Sequence, residues 1–389
     1  MKTIAPLAIF CLCAASLLHA EEKKADEITP PVERGFASMS PEEYSAGWLL
    51  LLDGRTLFGW EARSLKGERR VSVPDPVITM KNGQTRIETE VPIELKTRLF
   101  LPRPWRVALV YRAEPGTSAS IAVHDQSTNM YLKKFSYPLE ESAESKAILI
   151  EGAGEVGADI TMNGTAVAPG AMVEGGTGIA LTVERGTLTV ETLLFLPASR
   201  ALFDGTLSGW QTLGEIKAET VEADGQAALH ITGGSGSLES TGQFDNFYLS
   251  LDFKELAAPN NSGFFFRTEP GSKMDGYEAQ MNNAPPEADR AKFLGNDTGS
   301  IFRRAAARRL AANPADWTRL TVMAEADFFR TWVNGVPALL WTDTRKSDPN
   351  PRKGLRLKRG TFQLQGHDPT TDLFLRNLRI SDYGAGTFE

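Results

Sequence analysis

Along this chain the hydrophobic positions alternate with polar ones far more often than they recur at helical spacing. Trp105-Arg106-Val107-Ala108-Leu109-Val110-Tyr111 and Phe247-Tyr248-Leu249-Ser250-Leu251-Asp252-Phe253 are alternating or β-rich runs, as expected of strands lying on a sheet. Asn-Gly dipeptides stand in hairpin contexts at Ile160-Thr161-Met162-Asn163-Gly164 and Thr331-Trp332-Val333-Asn334-Gly335, where both central residues of the turn need positive φ. Two stretches depart from this pattern. Ser40-Pro41-Glu42-Glu43 predicts the start of a short helix, with Ser40 as N-cap, Pro41 as first helical residue and Glu43 closing a capping box. Ile301 to Asn313 carries Arg303, Arg304, Arg308 and Arg309 among alanines and predicts a short helix or an ordered loop. It is either a solvated basic face or an arm lining a binding cleft.

The chain repeats its own pattern. Leu51-Leu52-Asp53-Gly54-Arg55-Thr56-Leu57-Phe58-Gly59-Trp60 returns as Leu202-Phe203-Asp204-Gly205-Thr206-Leu207-Ser208-Gly209-Trp210. Asp-Gly makes a turn, since Gly takes positive φ freely and Asp bonds the local backbone; the Leu and Trp then anchor it on a core. Each half closes on a matching pair of strands, Gly178-Ile179-Ala180-Leu181 with Leu193-Leu194-Phe195, and Gly360-Thr361-Phe362-Gln363-Leu364 with Leu373-Phe374-Leu375. Short β runs at this spacing predict an all-β fold of two tandem β-sandwiches. The boundary falls at Pro197 to Arg200, giving domains 40–197 and 200–386.

The remaining segments set the compartment and the excluded chemistries. Lys2, the apolar run Ile4 to Leu18 and Leu18-His19-Ala20 before Glu21-Glu22 predict a cleaved signal peptide over 1–20. A flexible leader follows over 21–39. The protein is then expected to be periplasmic or secreted, with no membrane span, because no later apolar run approaches about 20 residues. The two cysteines, Cys11 and Cys13, lie inside the signal, so the mature chain has neither disulfides nor thiolate metal sites. The whole sequence has 42 Lys and Arg against 49 Asp and Glu, a net charge of −7. That balance lacks the broad positive field that holds nucleic acid.

Several blocks of the second half together resemble the 3-keto-disaccharide hydrolase domain family. They are Phe203-Asp204-Gly205 with Gly209-Trp210, Asn261-Ser262-Gly263-Phe264-Phe265-Phe266-Arg267, Gly276-Tyr277-Glu278-Ala279-Gln280, Asp316-Trp317-Thr318, Trp332-Val333-Asn334-Gly335, and Leu364-Gln365-Gly366-His367 followed by Leu375-Arg376-Asn377-Leu378-Arg379-Ile380. The resemblance implies a concanavalin A-like jelly roll whose concave face acts on glycosides oxidised at C3. Many members carry an Asp shortly after the Glu-x-Gln strand, where this chain has Met281-Asn282-Asn283. The first half keeps the scaffold blocks and loses the polar ones. Ala119-Ser120-Ile121-Ala122-Val123-His124 stands where the second half has its Ser-Gly-Phe-Phe-Phe-Arg block, and Leu181-Thr182-Val183-Glu184 stands opposite Leu-Gln-Gly-His. It reads as a degenerate copy.

Alternation puts Glu278, Gln280 and Asn282 on one face of a strand. Three polar side chains cannot enter a sandwich core unpaired, so they face solvent or a cleft. Glu278 is a candidate acid or base, and His367 in its loop is another. Arg267 could pair with Glu278 or bind a substrate oxygen; Asn261 reads first as a turn residue and second as a ligand. Trp317 could stack on a sugar, although large aromatics are more often core. No phosphate loop, His-Glu-x-x-His, Gly-x-Ser-x-Gly or EF-hand spacing occurs. No organic cofactor or dedicated metal site is expected, while a calcium site of carboxylates and carbonyls stays open.

The substrate class that the resemblance implies requires a base and a donor for an enolate oxygen, not the paired carboxylates of ordinary glycosidases. The rival reading is a tandem carbohydrate-binding module without turnover. On the sequence, the second domain is expected to fold and work without the first.

Overall fold

The structure is a computed structural model that describes residues 39–65, 76–102, 104–125, 135–152, 160–163, 165–168, 177–256, 261–283, 295–308, 316–350 and 352–382. The expected signal peptide, most of the leader and the end of the basic Ile301 to Asn313 stretch lie outside them. Among the described residues there is one helix, α1 (Pro41–Ala46), closed by the expected capping box. Glu43 N–H donates to Ser40 Oγ at 3.1 Å, and Ser40 N–H to the Glu43 carboxylate at 2.7 Å.

All else is strand. The first half contains β1 (Leu49–Leu50), β2 (Glu61–Ser64), β3 (Val77–Lys81), β4 (Gln84–Thr89), β5 (Ile93–Arg98), β6 (Trp105–Ala113), β7 (Ser118–Asp125), β8 (Phe135–Leu139), β9 (Ser142–Gly152), β10 (Ile160–Met162), β11 (Thr165–Ala168) and β12 (Thr177–Pro197). The second contains β13 (Arg200–Ala201), β14 (Trp210–Gly214), β15 (Lys217–Ala223), β16 (Gln226–Thr232), β17 (Gly236–Ser240), β18 (Phe247–Glu255), β19 (Ser262–Thr268), β20 (Tyr277–Met281), β21 (Thr318–Glu325), β22 (Phe328–Val333), β23 (Val336–Thr342), β24 (Thr361–Gly366) and β25 (Asp372–Asp382).

The second half is a sandwich of two antiparallel sheets. One runs β15-β16-β25-β18-β21-β22-β23, with β13 beside β25, and the other runs β14-β17-β24-β19-β20. The first half follows the same two orders, strand for strand. One layer is β3-β4-β12-β6-β9-β10-β11 with β1 beside β12, and the other is β2-β5-β12-β7-β8. The difference is β12, where the sequence suggests two separate strands. Its first part pairs with β5 and β7 in one layer and its second part with β4 and β6 in the other. The strand changes layer at Gly186, whose φ of +85° suits glycine and where a Cβ would stand 2.7 Å from Thr117. In the second half the same path is interrupted between β24 and β25 by residues 367–371.

Alternation now has a physical meaning on both sheets. Phe264, Phe266, Tyr277, Ala279, Met281, Phe362 and Leu364 point into the second core, and a face-to-edge aromatic cluster forms there, with Phe247 at 5.6 Å from Phe266 and 4.8 Å from Phe362. The first core, around Val107, Ile121, Leu181 and Phe195, continues across the boundary: Tyr248, Met323, Phe328 and Trp332 of the second half belong to it. Those four side chains lie on the outward face of the seven-stranded sheet, which is therefore covered by the first half. Trp332 Nε1 donates to Leu50 O at 3.0 Å and Tyr248 Oη to Phe100 O at 2.6 Å across this contact. The outward face of the five-stranded sheet lies on the opposite side of the second core, away from the first half.

Candidate functional site

The outward face of the five-stranded sheet is polar, and strand register orders its side chains in rows. Phe265 pairs with Glu278 on one side and Gln363 on the other, and Gln363 stands opposite Glu239. The next row on this face holds Ser237, Gln365, Gly263 and Gln280. Beyond the ends of the strands come His367, Asn261 and Asn282.

Glu239 is wholly buried and completely occupied. Its carboxylate accepts from Gln211 Nε2 at 2.6 Å, Thr361 Oγ1 at 2.7 Å, Gln363 Nε2 at 2.9 Å and Gly271 N–H at 3.1 Å. Gln363 also donates to Ser272 O at 2.8 Å, and its carbonyl accepts from Met274 N–H at 2.9 Å. This network fastens the segment 269–275 over one half of the face. A buried carboxylate with four donors is a rigid brace.

Glu278 is the opposite case. Among the described residues its carboxylate accepts no hydrogen bond. Burial pushes its carboxyl up from the ordinary 4.5 to about 7, against the opposing pull of Arg303 and Arg352. The carboxylate bends over the neighbouring strand, and Gly263 makes the room. A Cβ on Gly263 would stand 2.6 Å from Glu278 Oε1 and 2.7 Å from Cγ. Gln280 and Gln365 flank that glycine on either side. Gln280 Nε2 donates to Asn261 Oδ1 at 2.6 Å and to Ser262 O at 3.1 Å, which fixes its amide and leaves Oε1 buried with no donor. Gln365 Oε1 is likewise buried and unpartnered. Buried acceptors without donors cost free energy until something supplies a hydrogen. Gly263 therefore seats the Glu278 side chain on this face, beside two buried amide oxygens that have no donor among the described residues.

The edge of β20 is covered by the basic segment, which is an ordered loop over its described part. Gln280 N–H donates to Ser300 O at 2.9 Å and Phe302 N–H to Glu278 O at 2.9 Å, so residues 300–302 run beside Glu278 as an extra edge. Arg308, further along, reaches the first half. Its Nη1 contacts Asp53 Oδ2 at 2.6 Å in the Asp-Gly turn, and its guanidinium lies 4.2 Å from the Phe58 ring centre. The equivalent Asp204 of the second turn caps only its own loop, through Thr206.

Not every candidate residue gathers here. Arg267 does not reach the face. A register shift and a φ of +54° turn it inward, where Nε and Nη2 donate to Asp245 O, Nη1 to Ala326 O and Arg356 O, and Nη2 to Asn246 Oδ1. It is a loop clamp with every N–H used. Trp317 precedes β21 on the other sheet, where Arg376 covers its ring at 3.8 Å and Nε1 donates to Asp224 at 2.7 Å. It is not on the Glu278 face. His367 is exposed and pairs with Asp368 at 2.8 Å; counted along the register it lies two strands across and four residues along from Glu278, about 10 Å by about 13 Å. The two cannot act on one proton. Asn261 and Asn282 stand at the strand ends, Asn261 holding Gln280 and Asn282 donating to Asn296 O at 3.0 Å. Gln365 belongs to the site although the sequence reading gave it no role. Its signal was the alternation of Thr361, Gln363 and Gln365 against Phe362 and Leu364. Among the described residues no group of three or more His, Cys, Asp or Glu side chains could hold a metal.

The arrangement agrees with the family comparison. Residues 198–381 match the 3-keto-alpha-glucoside-1,2-lyase-like domain. The match stops at the boundary between the halves, and the first half differs where the site would be: β12 turns Ala180 and Thr182 outward in place of glutamines, while Ile179, Leu181 and Val183 fill its core. Similar solved structures include one from Parabacteroides distasonis provisionally described as a glycosyl hydrolase, 19% identical over 48% of this chain and 94% of that one, with a TM-score of 0.39. Another is the carbohydrate binding module CBM66 from Bacillus subtilis, 15% identical over 44% of this chain and 96% of that one, with a TM-score of 0.31. No curated protein matches the chain.

Proposed function

We propose that the second half cleaves 3-keto-glycosides by elimination, with Glu278 as the base. The observation that carries this is a carboxylate on an outward polar face, without a hydrogen-bond partner among the described residues, whose pKa burial raises to about 7. A base is most effective when its pKa lies near the working pH. The C3 ketone acidifies the C2 hydrogen. Glu278 takes that proton, and the C2–H electron pair becomes the enolate. The enolate collapses back to the ketone as a C1=C2 bond forms and the C1–O bond to the leaving group breaks. The leaving oxygen takes up a proton from water, the Glu278 carboxyl releases its proton to the solvent, and water adding across the enone, oxygen to C1 and hydrogen to C2, completes a net hydrolysis.

The neighbours take matching roles. Gln280, wholly buried with its nitrogen committed to Asn261 and Ser262, supports the face beneath Glu278. Gln365, whose amide is uncommitted among the described residues, can turn an N–H toward the oxygen that becomes the enolate. Arg267 and Trp317 have no part. A calcium ion is neither required by these steps nor assigned a site. The export expected of residues 1–20 would place this activity in the periplasm or outside the cell.

A second reading, a carbohydrate-binding face without turnover, is favoured by one feature: among the described residues no carboxyl or imidazole group stands beside Glu278 to protonate the leaving group. Release of aglycone from a chromogenic 3-keto-α-glucoside separates the two. Turnover above buffer that falls about 10²-fold or more in Glu278→Gln supports elimination. Saturable binding of the same glucoside with no turnover supports the binding face.

A further inference from the structure

On a chain with net charge −7, the two loops beside Glu278 are strongly basic. Residues 301–308 and 344–359 hold ten of its 42 basic residues and one of its 49 acidic ones. Some of these cations are spent on structure. Arg308 meets Asp53, Arg345 meets Asp343 at 2.7 Å and Arg356 meets Glu269 at 2.8 Å. Arg303, Arg304 and Arg352 are exposed and have no carboxylate partner among the described residues.

These three are gathered, not scattered. Arg304 Nη2 donates to Arg352 O at 2.8 Å, tying the two loops together, and Arg352 Nη2 donates to Lys273 O at 2.9 Å on the segment that covers the sheet. Tyr277, next to Glu278 in β20, secures the second loop: its hydroxyl donates to Asp343 at 2.6 Å and accepts from Arg356 N–H at 3.0 Å. Phe302 N–H, bonded to Glu278 O, fixes Arg303 at the same edge. The charges act on the site, since Arg303 and Arg352 pull against the burial that raises the Glu278 carboxyl. Arg304 also feels its neighbours: burial first, then the Arg345 charge, lower its pKa, with Asp343 pulling the other way and Arg303 adding to the lowering. Cations held close together with few counter-charges relax when an anion joins them.

We propose that the glycoside taken by this face is anionic, carrying a carboxylate, sulfonate or sulfate group on the part that lies over Arg303, Arg304 and Arg352. This rests on the reading of the Glu278 face as the glycoside site. The rows around Gly263 hold the neutral ring by its hydroxyls, and the arginine edge holds the charged end, where exposed guanidinium groups form forked bonds to paired oxygens. The patch is confined to one edge of one sheet and adjoins a surface built of amides and a carboxylate. It suits a short acidic saccharide or charged aglycone better than a nucleic acid strand, which needs a longer positive track.

The test measures binding in the Glu278→Gln protein, so turnover and the Glu278 charge play no part. Phenyl, 4-carboxyphenyl and 4-sulfophenyl 3-keto-α-glucosides are titrated by calorimetry at about 10 mM and about 150 mM salt, where the screening length falls from about 30 Å to about 8 Å. The 4-carboxyphenyl and 4-sulfophenyl compounds should bind about tenfold more tightly than the phenyl compound at low salt. Added salt should shrink that ratio, and it should vanish when Arg303→Gln and Arg352→Gln are combined. A ratio that persists in that variant, equal binding of all three compounds at low salt, or tighter binding of a single-stranded oligonucleotide than of either charged glucoside would overturn the proposal. Absence of turnover by the wild-type protein would defeat the elimination reading and leave this result standing or falling on the titrations alone. If none of the three compounds binds, the Gly263 face is not the glycoside site and the proposal falls with it.

Discussion

Replacing Glu278 by Gln should raise stability and abolish activity together, and the pH dependence of each follows from the same carboxyl group. Its pKa rises from 4.5 to about 7 in the folded protein, a gap worth at most about 3 kcal/mol at about 1.4 kcal/mol per pH unit, less whatever water at its open side recovers. The folded state holds this proton more tightly than the unfolded state does. Below about pH 4.5 both states are protonated and nothing is lost. As pH rises toward 7 the unfolded chain ionises first, so stability falls through that window, and above it the full cost is present. Gln carries no such slope. Urea unfolding of the two proteins should therefore agree near pH 4 and diverge to about 2–3 kcal/mol in favour of Glu278→Gln near pH 8. Glu255, which burial also pushes up to about 7, is present in both proteins and cancels from the comparison. Wild-type kcat/KM should climb through pH 7 as the base ionises. A stability difference that does not change between pH 4 and pH 8 would refute the account of Glu278 as a half-buried carboxylate with no hydrogen bond among the described residues.

Gly263→Ala should fold, since no left-handed backbone is required there, but its Cβ displaces Glu278 from 2.6 Å away; kcat should fall about tenfold or more, and unaltered kcat would remove the placement of Glu278 over Gly263 from the mechanism. Asp53→Ala breaks a buried pair with Arg308, at 1% and 15% side-chain exposure, and should cost about 3 kcal/mol or more, with faster amide exchange over 301–308; unchanged exchange would detach the first half from the arm. A chain starting at Ser199 should fail to give a stable monomer, contrary to the expectation from sequence. It would expose Tyr248, Met323, Phe328 and Trp332 at about 1.5–3 kcal/mol each, a total comparable with the whole stability of a domain. A cooperative unfolding transition in a monomeric fragment of this kind would refute that estimate.

The strands and the capping box were legible because each depends on local pattern: side chains alternate with period two, and Ser40 and Glu43 are three residues apart. The faces of β20 were legible for the same reason, and Glu278 and Gln280 stand where alternation put them. Arg267 was misread because its side depends on a register shift and a positive φ, which no alternation rule contains. Trp317 was misread because a family block in the sequence says nothing about which sheet its residue ends on. The brace at Glu239 joins β14, β17 and β24 with segment 269–275, and that network exists only once the register is set.

The role of the first half was the least legible feature, and the interface supplies its physical reason. Half of a sandwich face rich in Phe and Trp looks, in sequence, like any strand with a core side. The structure shows that the seven-stranded sheet is buried on both faces, one against its own core and one against the neighbouring half, where Tyr248, Met323, Phe328 and Trp332 stand among polar side chains such as Arg319 and Arg330. Arg330 makes the dependence plain: it is wholly buried, stacks 4.8 Å from Trp332 and takes Thr97 Oγ1 at 3.1 Å as an acceptor from the first half. Burial lowers its pKa to about 10, so this cation is held at a cost that only the surrounding contact offsets. The first half covers the back of the sheet whose partner carries Glu278 and holds, through Asp53 and Arg308, the arm that borders it.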